Sequence, residues 1–119
     1  MRKQILRGEI YLASFNPPTN KRDSEQRGYR PVLVVQNHFG NVNSPTVIVA
    51  AMTSNLEKAE LSTHVMVDTD CGLQRDSIIL LEQLRTLDKR KLNIYIGSLD
   101  ENQMKEVDAA LAVSLGIGV

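Results

Sequence analysis

Arg30 ends a polar loop and opens the apolar run Val32-Leu33-Val34-Val35, and Thr53 follows a second apolar run from Thr46 to Met52. A guanidinium is a planar fork of donors that stays charged at physiological pH and matches the oxygens of a phosphate. A threonine hydroxyl adds a short group that donates or accepts. Held together, the two suit an anion. RNA asks for little more, because it carries its own nucleophile, the 2′-OH. A protein must hold that oxygen in line, withdraw its proton, stabilise charge on phosphorus and protonate the leaving 5′-oxygen. Fixed donors aimed at developing charge are usually the largest catalytic contribution, about 10²–10³-fold for a single donor. The plainer reading of Arg30 is a surface ion pair with Glu25 or Glu9.

The elements around the pair predict whether they meet. Thr46 to Met52 is apolar on both faces, as in a central or interfacial strand. Val32 to Gln36 reads as a strand, and the turn-rich segment Asn37–Pro45 joins the two as an antiparallel hairpin. If Gln36 faces Val47, Arg30 faces Thr53, on one face of the sheet. A slip of one residue would send Thr53 to the other face.

Further strands are expected at Glu9–Phe15, His64–Val67, the first half of Ser77–Leu87 and Ile94–Ile96, with one or two helical turns at Leu56–Leu61. Asn16-Pro17-Pro18 breaks the first strand, and a long polar loop runs from there to Tyr29. Ser98 and Glu101 have the form of a capping box; Met104, Val107, Leu111 and Leu115 make one apolar stripe, and Gly116 suits the C-cap. Short strands followed by one helix predict a mainly-β fold with α: a small β-barrel or strongly curved sheet with a C-terminal helix packed on it.

Composition narrows the classes. One domain over residues 1–119 is expected, with 42% hydrophobic and 24% charged residues. No signal peptide or membrane helix is expected, and a cytoplasmic location fits best. Cys71 is the only cysteine, and two histidines with scattered acids make no metal-ligand spacing, so neither a disulfide, a metal nor a cofactor is expected. Zero net charge argues against a generic nucleic-acid coat, yet residues 1–35 carry seven basic side chains against three acidic ones. Such a basic front suits a short anionic ligand. Aromatics are only 4%, too few for a general single-strand binder; Tyr29 and Phe39 border the proposed site. His38 and His64 invite acid–base roles that nothing else supports, and Lys89-Arg90-Lys91 reads as a solvated face or a contact for an acidic partner.

Longer blocks carry a resemblance. They are RGEIYL (7–12), SEQ (24–26), RPVLVVQN (30–37), SPTVIVAA (44–51), THV (63–65), RDSIILLEQLRTLD (75–88) and SLG (114–116). In this order, over nearly the whole chain, they resemble the MazF/PemK toxins of bacterial toxin–antitoxin pairs. The resemblance implies an SH3-like barrel that forms a homodimer, and sequence-specific, metal-independent cleavage of single-stranded RNA to a 2′,3′-cyclic phosphate and a 5′-OH. It puts the catalytic arginine at Arg30 and the catalytic threonine at Thr53. It puts Glu25, Gln26 and Gly28 in a loop that covers RNA, and Glu82 and Gln83 near bound bases. Glu25 is a candidate general acid or base. The implied protein partner is an antitoxin with an acidic tail. Lys21-Arg22-Asp23 lengthens the loop before Arg30 relative to close relatives, which makes RNA sequence preference less transferable. A second reading keeps the scaffold but has the protein bind DNA gyrase without cutting RNA.

Overall fold

A computed structural model of the chain describes residues 4–15, 28–57 and 60–118. Its elements are β1 (Glu9–Ser14), β2 (Tyr29–Val34), α1 (His38–Asn43), β3 (Thr46–Thr53), β4 (His64–Val67), β5 (Ser77–Asp88), β6 (Leu92–Ser98) and α2 (Glu101–Leu115), with short 3₁₀ turns at Thr69–Cys71 and Lys89–Lys91. All strand pairs are antiparallel, in the order β4-β5-β3-β2-β1-β6. The mainly-β class with a C-terminal helix therefore holds.

β3 lies in the middle of this sheet, between β5 and β2, which accounts for its apolar residues on both faces. That pattern is thus no independent argument for a dimer. Alternation sorts the strands into two packed faces. On the helix side, Ile10, Leu33, Ala50, Met52, Ile79 and Leu81 pack with Val107 and Ala110 of α2. On the far side, Tyr11, Ala13, Val32, Val34, Val47, Val49 and Leu87 pack with Ile5 and Leu92. No residue of α2 reaches this second cluster, yet Val47, Val49 and Val34 are fully buried. The sheet must curl over its own far face to cover them.

The ladders do not join into a ring. Instead, backbone packs on backbone where the segment after β4 meets β6. A Cβ on Gly97 would sit 1.8 Å from the Cys71 carbonyl oxygen, and one on Gly72 would sit 2.4 Å from the Ile96 oxygen. Only glycine permits that approach. The curl shows again where the Arg85 guanidinium of β5 stacks 4.7 Å from the ring centroid of Phe15, just past β1.

Several local expectations shift. Asn37–Pro45 holds the short helix α1, because the Asn37 side chain accepts from the Gly40 N–H at 2.8 Å and caps it. β2 stops at Val34 and begins earlier than expected, at Tyr29. β5 is strand along its whole length of 12 residues. Among the described residues of 56–61 there is no helix. The cap of α2 is Asp100 with Gln103 and not Ser98 with Glu101, since Ser98 is taken up by pairing with Glu9. Both Asp100–Gln103 capping bonds are present, at 2.7 and 2.9 Å, and Gly116 is the C-cap as expected. Of the apolar stripe, Met104, Val107 and Leu111 join the core, but Leu115 is exposed.

Candidate active site

The hairpin β2–β3 has the expected register: Val32 faces Ala51, Leu33 faces Ala50 and Val34 faces Val49. The ladder stops at Val32, and the next residue outward is Pro31, which has no N–H to give. Continued past that point, the register sets Arg30 across from Thr53. Alternation gives the same answer independently. Arg30 lies opposite Ala13, which belongs to the far-side cluster, and Thr53 follows Met52, which belongs to the helix side. Both side chains therefore leave the far face, at the end of the hairpin away from α1. Arg30 is exposed and Thr53 half-buried. Thr53 Oγ1 accepts the Asn55 N–H at 3.0 Å. That bond occupies one lone pair and leaves the hydroxyl proton to donate outward.

The same face continues onto β5 and β4. Thr53 pairs with Ile78 and Ala51 with Leu80, after which β5 bulges: the next pair is Ala50 with Leu84. Glu82 and Gln83 sit in this bulge, both exposed. A bulge re-aims side chains that a regular ladder would bury between neighbours. His64 faces Leu80, so its ring shares the face of Glu82. Thr63 Oγ1 donates to Glu82 Oε1 at 2.8 Å, and His64 Nε2 lies 3.2 Å from Oε2. Burial acts to raise the Glu82 pKa, but hydrogen bonds from its own backbone N–H, from Thr63 and from His64 outweigh it, and the carboxyl lies below its ordinary value. This acid is an ionised, oriented acceptor at neutral pH.

Gly28 holds φ at +103° with open space where a side chain would be, and its carbonyl accepts the Phe15 N–H at 3.0 Å. It leads into β2 in a backbone conformation that side chains resist. Tyr29 is 58% exposed and faces Ser14, so alternation sends it to the face opposite Arg30. Phe39 is on α1, at the other end of the hairpin, and does not border Arg30 and Thr53. His38 is also there. Glu25, Gln26, Lys21 and Arg22 lie outside the described residues. Sequence reading missed the Thr63–His64–Glu82 cluster and the position of Arg85 over Phe15, beside the start of the loop. The first joins the block THV (63–65) to the block that holds LLEQ (80–83), a contact neither block spells by itself; the second is purely tertiary. Among the described residues, no three of His, Cys, Asp or Glu gather as a metal-ligand set.

Residues 6–115 match the model of a protein family described as the PemK-like, MazF-like toxin of type II toxin–antitoxin systems. The chain belongs to this family. Among PemK/MazF relatives, it is 50% identical over 114 residues to "Endoribonuclease EndoA" of Bacillus subtilis (strain 168), an alignment covering 95% of this chain and 96% of that protein. Solved structures share the fold. One is described as an endoribonuclease in complex with its cognate antitoxin from a mycobacterial species, with a TM-score of 0.80, 23% identity, and coverage of 97% of this chain and 98% of that one. Another is a MazE–MazF complex (Form-II) from Deinococcus radiodurans, with a TM-score of 0.76, 19% identity, and coverage of 98% and 100%. A PemK/MazF-like chain thus carries its arginine, its threonine and its bulge carboxylate on one curved face.

Proposed function

We propose that this protein is an endoribonuclease, the toxin of a toxin–antitoxin pair, and that it cuts single-stranded RNA sequence-specifically without a metal. The observation that carries the reading is the shared face of Arg30 and Thr53 across a hairpin whose register is set by Val32–Val34 and Val49–Ala51. The half-identical relative named for endoribonuclease activity supports the reaction class.

In this scheme Arg30 grips the non-bridging oxygens of the scissile phosphodiester and offsets the charge that builds on phosphorus. Thr53, with one lone pair engaged by Asn55, donates to the same group and holds the phosphate in line with the 2′-OH. Glu25 in the loop before Arg30 is the candidate to take the 2′-OH proton. Attack of the 2′-oxygen forms a 2′,3′-cyclic phosphate and expels the 5′-oxygen, which leaves as a 5′-OH after taking up a proton. Gln26, Gly28, Glu82 and Gln83 make the RNA path, with Glu82 and Gln83 facing bases that flank the cut; Tyr29, on the face opposite Arg30, lies off it. The antitoxin would cover this same face, acting in the cytoplasm on a homodimer of the toxin; no helix among the described residues is long and apolar enough to cross a membrane. No observation on this molecule favours gyrase binding.

The test is purified protein with RNA in excess EDTA, with the ends of the products analysed. Fragments bearing 5′-OH and 2′,3′-cyclic phosphate ends support the reading. Intact RNA, or cleavage that EDTA abolishes, overturns it.

A further inference from the structure

We infer that Thr63 and His64 are positioning residues for RNA sequence choice: they clamp the Glu82 carboxylate so that it selects a base offering an exocyclic amine over uracil. The inference rests on the nuclease reading above and concerns the part of the site that reads bases.

The clamp is two-sided. Thr63 Oγ1 donates to Oε1 at 2.8 Å and His64 Nε2 meets Oε2 at 3.2 Å, so each carboxylate oxygen has its own partner. Two bonds on two oxygens fix both the torsion and the tilt of a side chain that would otherwise sample many rotamers. The partners are themselves fixed. The His64 side chain is only 6% exposed, and its Nδ1 accepts the Leu61 N–H at 3.3 Å. That bond leaves Nε2 as the ring's donor toward Glu82. The Thr63 carbonyl accepts the Leu81 N–H at 2.9 Å, tying the β4 entry to the bulge that carries Glu82. The structure therefore spends a buried histidine, a threonine and a β-bulge on orienting one exposed acid. An acid that served only solubility would need none of this.

An ionised carboxylate only accepts hydrogen bonds, and each oxygen has lone pairs beyond the one its clamp bond uses. One of them takes Glu82's own backbone N–H, and the side chain, 32% exposed, keeps the others open to a ligand. Cytosine, adenine and guanine each present an amine on their pairing edge. Uracil presents two carbonyls around a single N–H, and a fixed carboxylate repels both. Accepting from cytosine N4 is a known carboxylate readout. Glu82 is four residues along β5 from Ile78, the partner of Thr53, which sets it roughly 13 Å along the strand from that pair at about 3.3 Å per residue. It is thus placed for a base flanking the cut and not for the reacting phosphate. A loose carboxylate would still attract amines, but it could swing away from a uracil and so discriminate less.

The experiment cleaves a library of single-stranded RNAs with one randomised segment in EDTA and sequences the 5′ ends of the products. Wild type is compared with Glu82→Gln, Thr63→Val, Thr63→Ser, His64→Phe and His64→Gln. Wild type should disfavour uracil at one position beside the cut. Thr63→Val and His64→Phe, which keep shape but lose the donor, should relax that preference about five- to tenfold, the lower part of the range for one good base contact. Thr63→Ser and His64→Gln, which restore a donor, should return it. On RNAs with an amine-bearing base at that position, kcat/KM should stay within about twofold of wild type in every clamp variant, the relaxation coming from a rise on uracil RNAs, which a merely structural defect would not allow. Unchanged base preference in Thr63→Val and His64→Phe, or an equal loss on all RNAs, overturns the assignment while leaving the nuclease standing. A wild-type protein that cuts no RNA overturns the nuclease reading, and this inference with it.

Discussion

Replacing Gly97 by alanine attacks the backbone contact between β6 and the segment after β4. The added Cβ would lie 1.8 Å from the Cys71 carbonyl oxygen and 2.9 Å from its carbon, and both of these are backbone atoms. No rotamer change relieves such a clash, so β6 and the segment around Cys71 must separate by roughly 1.5 Å to reach ordinary carbon–oxygen contact. Overpacking of this kind costs about 1–3 kcal/mol when neighbours yield. Here they yield only by lifting the 71–73 segment, which holds Cys71 and Leu73 at 7% and 8% exposure in the helix-side core. Exposing Leu73 alone adds about 1.5–3 kcal/mol. The substitution is therefore expected to cost about 3 kcal/mol or more, lowering Tm on the order of 10 °C in a chain of this size. Urea unfolding gives the free energy. A thiol reagent gives the location, because burial is the main reason the Cys71 pKa is raised and its reactivity low, and that protection should fall in Gly97→Ala. A variant within 0.5 kcal/mol of wild type, with Cys71 still protected, would refute the claim that glycine-mediated backbone contact holds β6 against the segment after β4.

Three smaller tests follow from the same structure. Val107 is fully buried and Leu115 is 56% exposed, so Val107→Ala should cost about 2 kcal/mol while Leu115→Ala stays within about 0.5 kcal/mol, both by urea unfolding. Asp100→Ala removes the cap of α2 and should cost about 1 kcal/mol, whereas Ser98→Ala should cost no cap energy. Asp88 is held at about 2 by side-chain and backbone hydrogen bonds from Arg90, below its ordinary 3.8. A depressed folded pKa means that its stabilisation is present above pH 3.8 and lost as pH falls toward 2; Asp88→Asn should flatten that part of the acid limb, and carboxyl NMR titration should give the midpoint.

The parts of this fold legible in the sequence were those fixed by short-range chemistry. Two β-rich runs and a turn-rich joint specified the β2–β3 register, because a slip of one residue would turn the valines of both strands inside out. The end of α2 was legible in Gly116. Its start was misread as Ser98–Glu101: Ser98 is drawn into pairing with Glu9, and Asp100 with Gln103 makes the box two residues later. α1 was hidden because the residues that cap a six-residue helix are also those that make turns. At the candidate site, the facing of Arg30 and Thr53 was legible from the hairpin, while their roles came only from the resemblance. The Thr63–His64 hold on Glu82 was not, because it depends on a bulge in β5, and nothing in the sequence marks where one strand gains residues on another. Arg85 over Phe15 likewise follows from the curl of the whole sheet.

The central claim is that Arg30 and Thr53 act on one phosphodiester, and a double-mutant cycle tests it most directly. Single-turnover cleavage of one RNA in EDTA would be measured for wild type, Arg30→Ala, Thr53→Val and the double variant. Each single change should slow cleavage, with Arg30→Ala down about 10²–10³-fold, and the double variant should be far less impaired than the product of the two, as for groups that work as a unit. Cleavage at the wild-type rate and position by Arg30→Ala, or two losses that simply multiply, would contradict it.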